Sequence, residues 1–318
     1  MHQKYGNLIF LPCFRGGAQW AEGFQLLTLN FIAKGSKTFG SQFSILNSQF
    51  STFNSQLSTI MYALVTGASS GIGLMYAREL ASRGYDLVIV SNQENEIKQT
   101  AENIEKDFSV KAHPIFMDLT DDMAAEKLLQ YCKDNNIEIE VLINNAGVFF
   151  FNPIIKTPKK RVDVMLDLHV KTVVHMCQVF GADMAERGHG YILNMSSMSA
   201  WMTMPGINVY NSSKAFILNF SRSLWYELKP LGVTVTAICP GAVDTGLYGL
   251  SDYWRKIAVG IGVSLRPEKL VKKALKAMFK GKKQCMPGLI NHLFVPIIKH
   301  LPDWFVFAVL KRLESFQK

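Results

Sequence analysis

Nowhere among the 318 residues do 18 apolar positions run consecutively, so the pattern of a membrane-spanning helix is missing. The first residues also lack the basic, apolar and small-residue order of a secretory signal. Cysteine is scarce and badly placed for cross-linking. Cys13, Cys132, Cys177, Cys239 and Cys285 are odd in number, far apart and contain no C-x-x-C pair, which speaks against a disulfide framework or a zinc site. No metal is expected, and a reducing cytoplasm is the expected location. Charge is sparse as well, at 19% of residues against 48% hydrophobic. That balance suits a globular chain with one domain of roughly 250 residues plus appendages.

The net charge of +9 is unevenly spread: +3 over residues 1–60, −4 over 61–250 and +10 over 251–318. A basic tail on a mildly acidic body has three readings: contact with nucleic acid, contact with an anionic membrane surface, or solvated helix faces. We expect no nucleic-acid partner and keep peripheral membrane contact open.

Residues 41–61 read as three copies of a heptad, SQFSILN, SQFSTFN and SQLSTIM. Ser and Asn fill most positions and no charge is present to set pairing, so a coiled coil is a poor reading. A period of seven codons is what a translated tandem DNA repeat would give. The expectation is that residues 1–60 are a low-complexity extension, disordered or translated from upstream sequence, with a natural start at Met61. The competing reading is an arm that touches membrane, since Phe24 to Ala33 is apolar but short. Residues 61–288 are then the main domain and 289–318 an apolar and basic helical tail.

Tyr62 to Val65 is a short apolar run suited to a buried strand, and Thr66-Gly67-Ala68-Ser69-Ser70-Gly71-Ile72-Gly73 follows at once. From Leu74 to Arg83 the spacing is helical and stops at Gly84. Strand, glycine turn and helix in that order aim free backbone N–H groups at a phosphate. Gly67 allows the tight turn, Gly71 a close backbone approach to a pyrophosphate, and Gly73 close packing of helix on strand. A second strand, Leu87 to Val90, ends at Ser91-Asn92-Gln93. An acidic residue there would bind ribose hydroxyls and an arginine a 2′-phosphate. Asn92 is neither, so NAD and NADP both remain, with a lean to NADP because no carboxylate repels the extra phosphate. After a third strand, Lys111 to Met117, Asp118-Leu119 offers a carboxylate to an adenine amino group; a helix N-cap is the alternative role for Asp118.

Tyr210 and Lys214 stand four apart at the front of a predicted helix and so share one face. Composition alone produces such a pair almost once per chain of this kind, so its meaning rests on the surroundings. Those surroundings are Asn144-Asn145-Ala146-Gly147 after a strand, Ser196-Ser197 at the end of the strand Tyr191 to Met195, and Cys239-Pro240-Gly241 after the strand Val233 to Ile238.

With TGASSGIG at 66–73, NNAG at 144–147, Ser197 thirteen residues before Tyr210, and the Pro240-Gly241 turn followed by Thr245, the chain from Tyr62 to about Leu250 resembles the short-chain dehydrogenase/reductase family in its single-domain form. Its tail is similar to that of the branch holding 3-oxoacyl and hydroxysteroid reductases. The fold expected is α/β: a doubly wound, mostly parallel seven-stranded Rossmann sheet in order 3-2-1-4-5-6-7, with helices on both faces. The resemblance implies NAD or NADP held by Gly67, Ser69, Ser70, Gly71, Ile72, Gly73, Asn92, Asp118, Leu119, Asn145, Ala146, Gly147, Tyr210, Lys214, Pro240, Gly241, Val243 and Thr245. It also implies a homodimer through the two long helices carrying His169 and Tyr210.

The implied activity interconverts a carbonyl and an alcohol by hydride transfer, with a small-molecule substrate. A free phenol titrates near pH 10, and the Lys214 ammonium with an oxidised nicotinamide would favour its phenolate. Tyr210 is then the general acid or base, and Ser197 steadies the substrate oxygen. Apolar residues flank this end: Met198, Trp201, Met202 and Met204 on one side, Leu247, Tyr248, Tyr253 and Trp254 on the other. They suit an apolar or acyl ketone, although core packing explains such residues equally well. One position departs from the family pattern, which usually has Asn where this chain has His169. The family's Asn bends its helix and holds a water near the catalytic Lys, largely through its backbone carbonyl, which a His can leave in place. His169 is therefore counted with Ser197, Tyr210 and Lys214 as catalytic, against the plainer reading of a core histidine satisfied by hydrogen bonds. Two other function classes stay in view: a cofactor-binding scaffold or regulator with little catalysis, and a protein that acts at a membrane surface through its tail.

Overall fold

The computed structural model describes residues 61–243 and 264–288, together with positions 295, 302–304 and 306–308. The extension 1–60, Thr245, the segment from Leu247 to Trp254 and nearly all of the tail from 289 lie outside the described residues.

Seven strands form one parallel sheet: β1 (Tyr62–Thr66), β2 (Asp86–Ser91), β3 (Ala112–Phe116), β4 (Ile139–Asn144), β5 (Gly190–Met195), β6 (Val233–Ile238) and β7 (Gln284–Cys285). Their order is β3-β2-β1-β4-β5-β6-β7, and every pairing is parallel. The expected order is the one observed. Strands covered on both faces must be apolar at every position, and β2 (DLVIVS) is buried from end to end.

The two faces bury separate sets of side chains. Ala63, Val65, Leu87, Ile89, Val141 and Ile143 point to one side. There they meet α1 (Gly71–Ala81), α2 (Glu94–Asp107) and α7 (Pro267–Phe279). Leu64, Val88, Val90, Leu142, Ile192 and Val235 point to the other. These pack on α3 (Ala124–Asp134), α5 (Thr172–Arg187) and α6 (Asn208–Leu228). The period-2 alternation of a strand thus divides one apolar run between two cores.

From β1 the chain adds strands outward to β3, then returns to place β4 on the other side of β1. That reversal opens a crevice at the C-terminal ends of β1 and β4, the place where doubly wound sheets hold ligands. Two features set what enters it. Helix α1 begins at Gly71 rather than at Leu74, where apolar spacing starts, so the glycine turn runs directly into the helix. Glycine's poor helix propensity hides this from sequence, yet the first turn needs few intrahelical bonds.

A buried polar link fixes α6 to the sheet. Asn144 Nδ2 donates to Asn194 Oδ1 at 2.8 Å, and Asn194 Nδ2 donates to Ser221 Oγ at 2.9 Å. The link joins β4, β5 and α6, so the helix that carries Tyr210 is registered against two strand ends. Between α4 (Lys159–Leu166) and α5 runs a π-helical turn, Asp167–Lys171, which is a local widening of the helix.

Candidate active site

Above the sheet's C-terminal edge lies a cleft of about 740 Å³. It collects residues from across 177 positions of sequence, from Gly67 to Val243. Of the expected site residues, Ser69, Ser70, Gly71, Ile72, Asn92, Asp118, Leu119, Asn145, Ala146, Gly147, His169, Ser197, Tyr210, Lys214, Pro240 and Gly241 line it with those two ends. Gly73 does not. It lies beneath the turn, where a Cβ would stand 2.0 Å from the Gly67 carbonyl oxygen and 2.6 Å from Asn145 Nδ2. Its contact is therefore with the turn rather than with the strand. Thr245 lies outside the described residues.

The glycine turn is held from below. Gly67 has φ +66° and a Cβ there would meet Ala146 Cα at 2.9 Å; Gly71, the first residue of α1, has φ +57°. Both positions favour glycine, one on steric and both on conformational grounds. Thr66 Oγ1 accepts from the backbone N–H groups of Asn145 and Ala146, each at 3.0 Å, and Asn145 Nδ2 donates to the Thr66 carbonyl at 3.0 Å. Asn145 thus supports the turn with its side chain and lines the cleft at the same time. Ser70 caps α1 without a side-chain hydrogen bond, so the helix start faces the cleft with its backbone amides. A pyrophosphate fits this cradle of small residues and oriented N–H groups.

At the far end, Ser91 Oγ pairs with Ser69 Oγ at 2.9 Å and accepts from Gln93 N–H at 3.1 Å. Gln93 Nε2 donates to Asn92 Oδ1 at 3.3 Å. Sequence order shows no carboxylate at the end of β2, but the fold supplies one from the next helix: Glu96, in the first turn of α2, lines this part of the cleft. Asp118 turns back on its own loop, its Oδ1 accepting from the Thr120 N–H at 3.0 Å and the Thr120 hydroxyl at 2.9 Å. It is not the cap of α3, a position held by Met123. Ser91, Gln93, Glu96, Met117, Val148, Leu168, Met195 and Ser196 also line the cleft. The neighbours of motif residues were detectable as strand ends; Glu96 and Leu168 carried no signal of their own.

The other end is built on the first turns of α6. Lys214 is 7% exposed and its Nζ donates to the Met195 carbonyl at 2.9 Å. Burial pushes its ammonium down to about 8 from the usual lysine value. The same Nζ lies 5.6 Å from the centre of the Tyr210 ring. Tyr210 is buried apart from 8% of its surface, with the Phe149 ring edge-on at 5.0 Å. Ser197, at the end of β5, accepts from the Ser199 N–H at 3.1 Å, while its neighbour Ser196 donates to the Lys214 carbonyl at 2.7 Å. One serine faces the cleft from a turn and the other anchors α6. The Met198 N–H donates to the Pro240 carbonyl at 2.8 Å, which joins the turns after β5 and β6.

His169 sits on the π-helical turn, 2% exposed. Its Nε2 accepts from the Val148 N–H at 3.1 Å, and its Nδ1 pairs with Ser213 Oγ at 3.0 Å. Burial first, and the charge of Lys214 second, hold its pKa well below the ordinary histidine range. It is a neutral imidazole with both nitrogens engaged. The hydrogen-bonded core reading accounts for its contacts, and it borders the cleft as well.

A family model described as short chain dehydrogenase matches residues 61–255. The very-long-chain 3-oxoacyl-CoA reductase of Rattus norvegicus is 30% identical over 254 residues, covering 78% of this chain and 78% of that protein. Its Homo sapiens counterpart is 30% identical over 261 residues, 80% of each chain. Among solved structures, a short-chain dehydrogenase from Sphingobium yanoikuyae in complex with NADPH superposes with a TM-score of 0.65 at 25% identity, covering 81% of this chain and 96% of that one. The bulky-bulky ketone specific alcohol dehydrogenase from Comamonas testosteroni gives 0.63 at 25% identity, over 81% and 94%.

Proposed function

Because the chain belongs to the short-chain dehydrogenase family and is an NAD(P)-dependent oxidoreductase acting between carbonyl and alcohol, we propose that it works as a reductase of an apolar or acyl ketone, with Tyr210, Lys214 and Ser197 as its catalytic residues. The observation that carries this reading is the meeting of those three side chains with the glycine turn in one cleft. When bound, the nicotinamide supplies or accepts the hydride. Backbone amides at the start of α1, with Gly67, Gly71, Ser69 and Ser70, would hold its pyrophosphate, and Asn92 and Asp118 its adenosine end.

This chain's own groups handle the proton. Tyr210 gives its phenolic proton to the carbonyl oxygen during reduction and takes one back during oxidation. Lys214 places a positive charge beside the ring, which favours the phenolate left behind. Ser197 hydrogen-bonds the substrate oxygen where negative charge develops. The 3-oxoacyl-CoA reductase relatives support an acyl substrate, and the bulky-ketone structure an apolar one. Met195, Val148 and Leu168 give this end an apolar border.

Cofactor preference turns on the β2 end. The NADPH-bound neighbour supports NADP, whereas the Glu96 carboxylate repels a 2′-phosphate and supports NAD; among the described lining residues Lys214, at the opposite end, is the one lysine or arginine. For partners, the reading is a homodimer through α5 and α6. The exposed face of α7 carries Lys269, Lys272, Lys273 and Lys276 with Glu268, the kind of surface that favours an anionic membrane from the cytoplasmic side. No helix among the described residues is long and apolar enough to cross a membrane.

Calorimetry with NADH and NADPH, then turnover of straight-chain 3-oxoacyl-CoA esters and bulky aryl ketones with the tighter cofactor, tests the proposal. Tight cofactor binding without turnover of any carbonyl would favour a binding scaffold and defeat the catalytic reading.

A further inference from the structure

His169 is the residue that departs from the family pattern, and its hydrogen bonds define its state without reference to any relative. A backbone N–H can only donate, so the Val148 amide at 3.1 Å makes Nε2 an acceptor with no proton. The proton of the neutral ring must then sit on Nδ1. The other contact reaches the same result independently. The single hydroxyl proton of Ser213 is donated to the Tyr210 carbonyl at 2.8 Å, which leaves Ser213 Oγ to accept at 3.0 Å from Nδ1–H.

The chain of bonds therefore runs from the Val148 amide through the imidazole and Ser213 to the Tyr210 backbone. It begins at an amide and ends at a carbonyl, and neither releases or takes up a proton near neutral pH. As a proton path it is closed at both ends. As a strut it is complete: it spans the loop after β4, the π-helical turn and the first turn of α6. Gly147 fits the same arrangement, because a Cβ there would stand 2.7 Å from Nε2 and 3.1 Å from Cδ2 of the ring. The imidazole occupies the space a side chain at 147 would need, and it also lies edge-on to the Tyr210 phenol with ring centres 5.6 Å apart.

We infer that His169 is a positioning residue, locked as the neutral Nδ1–H tautomer, which sets where the Tyr210 phenol stands relative to the loop at 145–148 and takes no part in proton relay. The inference deepens the reading of Tyr210 as acid and base and rests on it. The π-helical turn is the element that carries the imidazole to both Val148 and Ser213. The charged group acting on the ring is Lys214, and the titratable Tyr210 phenol lies edge-on to it, both on α6; the loop after β4 meets it with the Val148 backbone amide.

The test is nitrogen-15 NMR of histidine-labelled full-length protein, with the His169 signals assigned by their loss in His169→Gln. Expected is a pyrrole-like Nδ1 and a pyridine-like Nε2, unchanged from pH 5.5 to 8.5. The opposite tautomer, or a titration near pH 6.5, would overturn the inference, and neither readout depends on substrate or turnover.

The positioning role is tested by two variants that each preserve one contact. His169→Gln places an amide near Nε2 and can still meet the Val148 N–H, whereas His169→Asn can reach only Ser213. With Tyr210 carbon-13 labelled and assigned by Tyr210→Phe, both variants should move the phenol signal less than His169→Leu does. On any carbonyl the enzyme turns over, kcat should fall about tenfold or less in the two amides and about a hundredfold in His169→Leu, with the shape of the pH profile retained. A phenol signal indifferent to all three variants, or loss of one ionisation from the profile, would refute it. Absence of turnover in the wild type would instead count against the catalytic reading of the cleft and leave the NMR result to decide the strut.

Discussion

Gly73 lies in the first turn of α1 and Gly84 just past its end, and replacing each by alanine separates a steric requirement from a conformational one. At Gly73 a Cβ would lie 2.0 Å from the Gly67 carbonyl oxygen and 2.7 Å from the Gly67 carbonyl carbon, so the obstacle is backbone. An ordinary carbon–oxygen approach is about 3.3 Å, which requires the helix start and the turn to separate by about 1.3 Å. Helix α1 has little freedom to accommodate this. Tyr76, Ala77 and Leu80 are fully buried against the sheet, and the Tyr76 hydroxyl donates to Met195 Sδ at 3.3 Å. Overpacking of this kind costs typically 1–3 kcal/mol, and with rigid backbone on both sides we expect Gly73→Ala to cost about 3 kcal/mol.

At Gly84, beyond the helix end, φ is +85° and a Cβ would meet nothing within 4 Å. Gly84→Ala should therefore cost only the left-handed penalty of a non-glycine residue, about 1 kcal/mol. Cofactor affinity tells the two apart more sharply than stability does. The amides at the start of α1 move with Gly73, so Gly73→Ala should weaken NADH and NADPH binding by more than about tenfold, or ~1.4 kcal/mol. Gly84→Ala should leave binding unchanged. Urea unfolding gives the first quantity and calorimetry the second. If Gly73→Ala stays within about 0.5 kcal/mol of the wild type and binds either dinucleotide normally, the turn is not held by the contact described.

Tyr210→Phe should lower turnover by about 10²- to 10⁴-fold while dinucleotide binding by calorimetry is retained; wild-type turnover in the variant would remove Tyr210 from the chemistry. Lys214, with its pKa about 8 in the fold against 10.5 in a free lysine, binds fewer protons when folded than when unfolded between those values, so its penalty on stability is full below about pH 8 and relieved as pH rises to 10.5. Lys214→Met should accordingly stabilise the cofactor-free protein by roughly 2 kcal/mol at pH 7 in denaturant unfolding, lose that advantage above pH 10.5, and be inactive; a destabilised variant at pH 7 would show that the Met195 contact outweighs the burial of charge. Glu96→Lys should shift the ratio of NADPH to NADH affinity upward by about tenfold, ~1.4 kcal/mol, and an unchanged ratio would place the 2′-hydroxyl away from α2.

How much of this was legible in the sequence follows from where the information sits. The strands were readable because two-sided burial demands unbroken apolar runs, as in DLVIVS of β2. The sheet order came through the resemblance carried by the motifs. The start of α1 was not readable, since Gly71 and Gly73 are poor helix formers whose place is set by packing against the glycine turn. Glu96 stands only a few residues past Ser91, but the ribose-contacting position is expected at the strand end itself, and the first turn of α2 is what turns this carboxylate back onto the cleft. The partners of His169 lie 21 and 44 residues away, so sequence could flag the departure from Asn but not show both ring nitrogens engaged. For Asp118 the N-cap alternative fails, because Met123 holds that position, while one carboxylate oxygen accepts from Thr120 and the residue still lines the cleft.

The two ends of the cleft should consequently respond to mutation in different ways. Around Gly67, Gly73 and Asn145 the contacts are backbone against backbone or against a short amide bonded to backbone, and no rotamer change relieves a clash there. Damage at that end should remove dinucleotide binding as a unit. Around Tyr210 the position of the phenol depends on side-chain ties acting in parallel on α6: Asn194 on Ser221, Ser196 on the Lys214 carbonyl, and His169 on Ser213. Each can lose one bond while the others hold α6 in register. Substitutions at this end should therefore lower turnover by degrees at nearly constant cofactor affinity, and substrate range should change more readily there than the cofactor cradle does. The proposed chemistry would need a fixed place for the dinucleotide and an accurately set phenol beside it; backbone packing would provide the first, and the buried polar links that tie α6 to β4 and β5 the second.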